Sequence, residues 1–227
     1  MIATWHAPLF DGSTSEELVL SFNEDRERRV LVVPALFDEA NKMRRFTVQV
    51  MRALDRAGID SFLPDLPGQN ESLVPLTAQT LEGWRKTLAE AVRAFEATEV
   101  LTVRAGAALA PSTLPTTLYA PHEPAKQVRS MLRAQVIASR EAGREETTEA
   151  LIETGLADGI TLAGWSFGFA MFRELTETSI AQSEHHEPIE QKMLGGRGLW
   201  LRAEPDEDVE QAEALALLIA GEREQLA

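Results

Sequence analysis

The chain alternates between short apolar runs and longer stretches in which apolar residues recur every three or four positions. Glu17-Leu18-Val19-Leu20-Ser21-Phe22 alternates polar and apolar, the period of a strand with one wet face. Arg29-Val30-Leu31-Val32-Val33-Pro34 is a continuous β-branched run, as in a strand covered on both faces. The spacing Phe46, Val50, Leu54, Ala57 predicts a helix that Gly58 stops. Ile59 to Leu63 is another strand, closed by Pro64-Asp65-Leu66-Pro67-Gly68. Between Thr80 and Ala97 the stripe Leu81, Trp84, Leu88, Val92, Phe95 predicts an amphipathic helix. Strands are expected at 99–103 and 116–120, then two consecutive helices at 123–141 and 145–156. A strand at 160–164 precedes a helix from about 167. Residues 178–196 are polar and predict irregular chain; 198–203 predicts a last strand and 208–222 a last helix.

Strands alternating with helices imply an α/β protein with a doubly wound, mostly parallel sheet and helices on both faces. An antiparallel piece leads into the first crossover. At 227 residues the chain is expected to form one domain. The paired helices, at about 121–157, are expected to lie as a small lid over the carboxyl edge of the strands, where such sheets bind ligands.

Net charge is −14, which disfavours binding to nucleic acid or anionic lipid. Much of the excess is C-terminal, in Glu204, Asp206, Glu207, Asp208, Glu210 and Glu213. The absence of cysteine excludes disulfides, a thiol nucleophile and Cys-ligated zinc. No apolar run is long enough to span a bilayer and no signal peptide is visible, so a cytoplasmic location is expected. No dinucleotide loop, P-loop or metal-ligand spacing is present, so neither cofactor nor metal is expected.

Gly164-Trp165-Ser166-Phe167-Gly168 matches G-x-S-x-G, the strand-to-helix turn that presents a nucleophilic serine. Taken at face value, it makes Ser166 the nucleophile of an esterase. The only histidines after it are His185 and His186, in Ser183-Glu184-His185-His186-Glu187-Pro188. Either could serve as base, with amide donors near Ala35-Leu36. The bland account makes Ser166 a helix cap and the histidine run a solvated loop.

The element order resembles the α/β-hydrolases. Val30 to Pro34 fits their third strand, and Asp65-Leu66-Pro67-Gly68-Gln69-Asn70-Glu71-Ser72 is similar to their D-x-P-G-x-G-x-S run. More narrowly, Val33-Pro34-Ala35-Leu36-Phe37-Asp38-Glu39-Ala40-Asn41-Lys42-Met43-Arg44-Arg45 resembles the P-P-F-x-E-E-x-N-K-x-R-R run of the exosortase-A-system-associated hydrolases, a bacterial group associated with exopolysaccharide loci. Val103-Arg104-Ala105-Gly106-Ala107 and Ala163-Gly164-Trp165 add to the likeness. The resemblance implies an eight-stranded sheet and an exopolysaccharide-related role.

Counting elements moves the elbow. In this fold the nucleophile follows strand five, the acid strand seven and the histidine strand eight. With strand five at 99–103, seven at 160–164 and eight at 198–203, the nucleophile position is Arg104. Ser166 then falls at the acid position, and Glu204-Pro205-Asp206 stands where the histidine belongs. Only about 60 residues follow Ser166, too few for two more catalytic strands and their helices. The expectation is therefore a scaffold without a standard triad, serving as a binding or accessory protein; an active serine esterase is the alternative.

A guanidinium at the elbow needs a partner when desolvated. Asp38, Glu39 and Glu204 come from loops expected to converge on Arg104, giving either a salt bridge that locks strand ends or an anion site shared with Lys42. Asn41 is the expected N-cap of the helix that carries Lys42, Arg44 and Arg45. Arg129, Arg133, Arg140 and Arg144 make the lid locally basic. That face suits a solvated surface, an entrance for anions or a homodimer contact, with the acidic C-terminal helix as a conceivable mate. Whether the partner is a small molecule or a protein stays open.

Overall fold

Two five-residue apolar strands, β3 (Arg29–Val33) and β5 (Glu99–Val103), run parallel at the centre of the sheet, with Leu31 opposite Val100 and Val33 opposite Thr102. The computed structural model describes residues 1–222. Around this centre the main sheet is ordered β1-β2-β4-β3-β5-β6-β9. Its other strands are β1 (Ile2–Pro8), β2 (Thr14–Phe22), β4 (Asp60–Pro64), β6 (Thr116–Tyr119) and β9 (His186–Ile189). β1 and β2 form the antiparallel entry, and from β4 to β9 every pairing is parallel.

Alternation along the central strands sorts side chains to two cores. Leu31, Val33 and Val100 face α2 (Leu81–Ala94), whose Leu81, Trp84 and Leu88 are buried as the sequence stripe requires. Val30, Val32, Leu101 and Val103 face α1 (Asp38–Arg56) and α6 (Val209–Ala220). Parallel strands need crossovers; α1 supplies the one from β3 to β4 and α2 the one from β4 to β5, while α6, after the last strand, completes the cover of the α1 face.

Between β6 and β9 the chain inserts α3 (Pro124–Glu141), α4 (Thr148–Asp158), a hairpin of β7 (Ile160–Leu162) and β8 (Trp165–Phe167), and α5 (Phe169–Glu177). Three expectations are corrected here. The segment at 160–164 is not the seventh strand of the main sheet but one arm of a separate two-stranded hairpin. The seventh strand is β9, inside the stretch expected to be irregular. Only Ile189 of β9 is buried, so this edge strand carries backbone pairing to β6 with almost no apolar signature. Residues 198–203 do not form an eighth strand. Leu199–Leu201 is a 3₁₀ turn closed by the Leu201 amide donating to the Gly198 carbonyl, with Leu199 buried and Leu201 78% exposed. Seven strands therefore make up the main sheet among the described residues, one fewer than the resemblance implies.

Candidate functional site

β5 ends at Val103, and Arg104 turns the chain with φ of 55°, a conformation that L-residues adopt at a cost. A wholly buried 3₁₀ segment, Arg104–Leu109, follows. Gly106 allows this turn to sit against β3, since a Cβ there would lie 2.3 Å from the Pro34 carbonyl oxygen. The sharp strand-to-helix turn of a nucleophile elbow is thus present, and an arginine occupies its apex.

That arginine is fully engaged. Its Nε and Nη2 donate to the two Glu39 carboxylate oxygens at 2.9 and 3.0 Å, and its Nη1 donates to the Ala120 carbonyl at 2.9 Å. The guanidinium carbon lies 3.8 Å from the centre of the Trp200 ring. Arg104 is 7% exposed, so these contacts replace nearly all of its hydration. A planar, permanently charged fork suits this geometry and an ammonium does not. The 3₁₀ turn at Leu199–Leu201 puts Trp200 over Arg104, an outcome that a strand reading of 198–203 hid.

The other expected acids lie elsewhere. Asp38 pairs with Lys42 at 2.9 Å within the first turn of α1. Glu204 is exposed and is not joined to Arg104. Since Glu39 and Asp38 already occupy Arg104 and Lys42, the shared anion site foreseen for those two cations is closed in this arrangement. Asn41 is not the N-cap. α1 starts at Asp38, with Phe37 at the N-cap position at φ of 57° and no side-chain cap, and the exposed Asn41 lies within its first turns. Acids at Asp38 and Glu39 suit the positive end of the helix dipole.

Beside the ion pair lies a cavity of about 180 Å³, lined by Asp38, Glu39, His122, Gln127, Ser130 and Ala163 among others. His122 follows β6, and its amide donates to the Arg104 carbonyl at 3.3 Å. Burial, and then the Arg104 charge, hold its imidazole below the ordinary histidine range, so it is neutral at pH 7. Gln127 donates from Nε2 to the Leu36 carbonyl at 2.8 Å, tying α3 to the loop after β3, while its Oε1 is buried without a partner. His122, Gln127 and Trp200 escaped the sequence reading because nothing local sets them apart. The one usable signal was His122 standing just after a strand end, at the carboxyl edge where ligands bind.

Ser166 is not at an elbow. Ala163 and Gly164, at φ of 50° and 85°, form a two-residue turn between β7 and β8, and Ser166 sits in the second arm, exposed. Its hydroxyl is 2.9 Å from that of Thr161 across the hairpin. His185 is exposed, and the His186 ring lies between the Ala181 and Pro111 carbonyls at 3.1 and 2.9 Å. Neither histidine is brought to Ser166, which also fails to cap α5; Gly168 takes that position. The motif has a packing role instead. Trp165 and Phe167 set their rings edge-on to Phe37 at 5.7 and 4.9 Å, fixing the hairpin over the loop after β3. Gly168 abuts the Thr77 carbonyl, 2.1 Å from where a Cβ would stand.

Among the described residues no group of three or more His, Cys, Asp or Glu side chains could hold a metal ion, and no helix is long and apolar enough to cross a membrane. The site is a closed ion pair beside a small, mainly apolar pocket that has His122 and Ser130 on its lining.

No protein-family model and no curated protein matches the chain. Solved structures do. Alpha/beta hydrolase domain-containing protein 10 from mouse aligns over 99% of this chain and 100% of its own, with TM-score 0.59 and 11% identity. Est1E from Butyrivibrio proteoclasticus, whose structure holds ferulic acid, aligns over 98% of each chain, with TM-score 0.53 and 10% identity. At such identities the likeness establishes the α/β-hydrolase fold.

Proposed function

We propose that this α/β-hydrolase-fold chain is a non-hydrolytic binding or accessory protein that uses the pocket between α1, α3 and the His122 loop. One observation carries the reading: the apex of the elbow holds Arg104, and that arginine is locked by Glu39, the Ala120 carbonyl and Trp200. Hydrolysis by this fold needs a nucleophile at that point with a base in hydrogen-bond reach. Ser166, which is the alternative nucleophile, has Thr161 as its hydroxyl partner and no imidazole.

The pocket suits a small, uncharged ligand. Both carboxylates at its edge are already neutralised by Lys42 and Arg104, which leaves the neutral His122 imidazole and the Ser130 hydroxyl to meet a hydroxyl group beside an apolar lining of Met131, Ala134 and Ala163. The resemblance of the 33–45 run to the exosortase-associated group supports a place in exopolysaccharide metabolism, with the chain acting by binding.

The test is labelling with a fluorophosphonate probe at neutral pH. No covalent adduct is expected on the wild-type chain. An adduct that disappears in Ser166→Ala would establish the esterase and overturn this reading. In a producing bacterium that lacks the gene, Ser166→Ala is expected to restore exopolysaccharide as fully as the wild type.

A further inference from the structure

Cations are distributed unevenly over this acidic molecule. Most Lys and Arg side chains of the sheet-covering helices and loops hold a carboxylate, including Arg45 with Glu207 at 2.6 Å and Arg56 with Glu213 at 2.8 Å. Two of the C-terminal acids, Glu207 and Glu213, are thus engaged by α1 within the chain and are not free to meet the basic helix. On α3 and the turn after it, Lys126, Arg129, Arg133, Arg140 and Arg144 are exposed, and none is ion-paired among the described residues. Arg144 reaches the Ser139 hydroxyl at 3.5 Å and feels the Glu146 carboxylate bound to that same hydroxyl, without a direct ion pair. Ile137, on the same helix, is 59% exposed.

The next helix has the opposite character. Glu149, Glu153 and Asp158 of α4 and the preceding Glu145 are exposed and equally without ion pairs, and Leu156 is 44% exposed. The helix dipole accounts for Glu149 near the N-terminus but not for Glu153 or Asp158. α3 and α4 touch, yet among the described residues no ion pair joins them. Each presents its charge outward.

We infer that the α3–α4 pair is a self-association surface, with the basic face of α3 from one copy against the acidic face of α4 from a second, and the reverse contact across a two-fold axis. A patch carrying both signs on adjacent helices is complementary to itself, as an isologous contact requires. A nucleic acid or an anionic bilayer would match α3 alone, and the net charge of −14 opposes both. Ile137 and Leu156 supply apolar contact beside the charges. α3 is about 27 Å long at 1.5 Å per residue. Both helices are needed to approach the roughly 800 Å² per partner of a stable interface. The dimer is therefore weak and salt-sensitive.

Analytical ultracentrifugation of the full chain at ~100 µM and low ionic strength tests this, with dimer expected. Raising NaCl to ~0.5 M is expected to weaken association at least tenfold. The basic-face variant Arg133→Glu/Arg140→Glu and the acidic-face variant Glu149→Arg/Glu153→Arg are each expected to be monomeric, with unchanged circular dichroism because every substituted side chain is exposed. Mixed in equal amounts, the two are expected to form a heterodimer, since each reversed face then meets its opposite. A monomeric wild type, reversals that leave the dimer intact, or a mixture that stays monomeric would overturn the inference. So would a monomer that sediments with phosphatidylglycerol vesicles through Arg133 and Arg140, which would reassign the face to lipid.

Discussion

Arg104 and Glu39 lie 65 residues apart in sequence, yet each satisfies the other so completely that neither can be removed alone. Replacing Arg104 by Ala would leave the Glu39 carboxylate, whose side chain is only 14% exposed, without its partner and would expose the Ala120 carbonyl to an empty space. Breaking such a pair costs about 3 kcal/mol, the low end of the range for buried pairs because Glu39 keeps some solvent contact. Arg104→Lys is expected to recover less than half of that, since one ammonium cannot span both Glu39 oxygens, the carbonyl and the Trp200 face. Urea unfolding of the three chains measures this. A lysine chain as stable as the wild type would show that charge alone, without the planar fork, suffices. The need of Arg104 for a partner was legible in the sequence, because an arginine at a strand end within the core must be compensated. Which acid met it was not legible. Asp38, Glu39 and Glu204 are chemically equivalent on paper, and only the start of α1 at Asp38 turns Glu39 toward the elbow.

Among the elements, the β7–β8 hairpin shows how one string of letters serves two geometries. G-x-S-x-G requires small residues where the chain turns tightly, and a hairpin docked on another loop has the same requirement. Its two glycines have different duties here. Gly164 supplies φ of 85° in an open turn, so Gly164→Ala is expected to cost only about 1 kcal/mol of backbone strain. Gly168→Ala would drive a methyl into the Thr77 carbonyl and must move the hairpin against the 76–78 turn. It is expected to cost on the order of 2–3 kcal/mol. Thermal denaturation compares the two, and equal losses would contradict the assigned roles. Ala in the first turn position, where Asn or Asp announces such hairpins, concealed the turn from the sequence. The polar edge strand β9 was hidden for a related reason. One buried residue in four leaves no period to detect, and Pro188 argues against a strand unless it lies at an edge. The apolar 198–203 run erred the other way. Its hydrophobicity serves a core contact by Leu199 and a ring stack by Trp200, not a ladder.

Over the whole molecule, the two cores share one sheet, whose central strands contribute side chains to both, so a proton equilibrium at the sheet edge is linked to the stability of the fold. His122 is the clearest case. Its pKa is depressed by burial and by Arg104, so the native state disfavours the protonated ring. Below the free-histidine value of about 6.5 the unfolded chain takes up a proton that the native chain resists. The contribution of His122 is therefore fully present above that pH and is lost as the pH falls toward the depressed native value. His122→Asn is expected to flatten the stability–pH curve in this window while leaving other acid-induced losses unchanged. Urea midpoints at pH 7.5 and 5.5 for both chains provide the check, and identical slopes would show that His122 stays solvated.

The sequence by itself determined the α/β class, the central strands, the amphipathic helices and the position of the elbow. Those follow from hydrophobic period and element order, which are local properties summed along the chain. Counting elements along it also put an arginine, Arg104, at the turn after the fifth strand, where the structure has it. Only the tertiary structure decided that GWSFG is a hairpin turn, that the last main-sheet strand is a polar edge, that Glu39, Trp200 and the His122 amide meet Arg104, and that Gln127 ties α3 to the loop after β3. These are choices among chemically equal partners at long sequence separation, and they are made by the packing of α1, α3 and the 3₁₀ turn at Leu199–Leu201, not by any pattern within a segment.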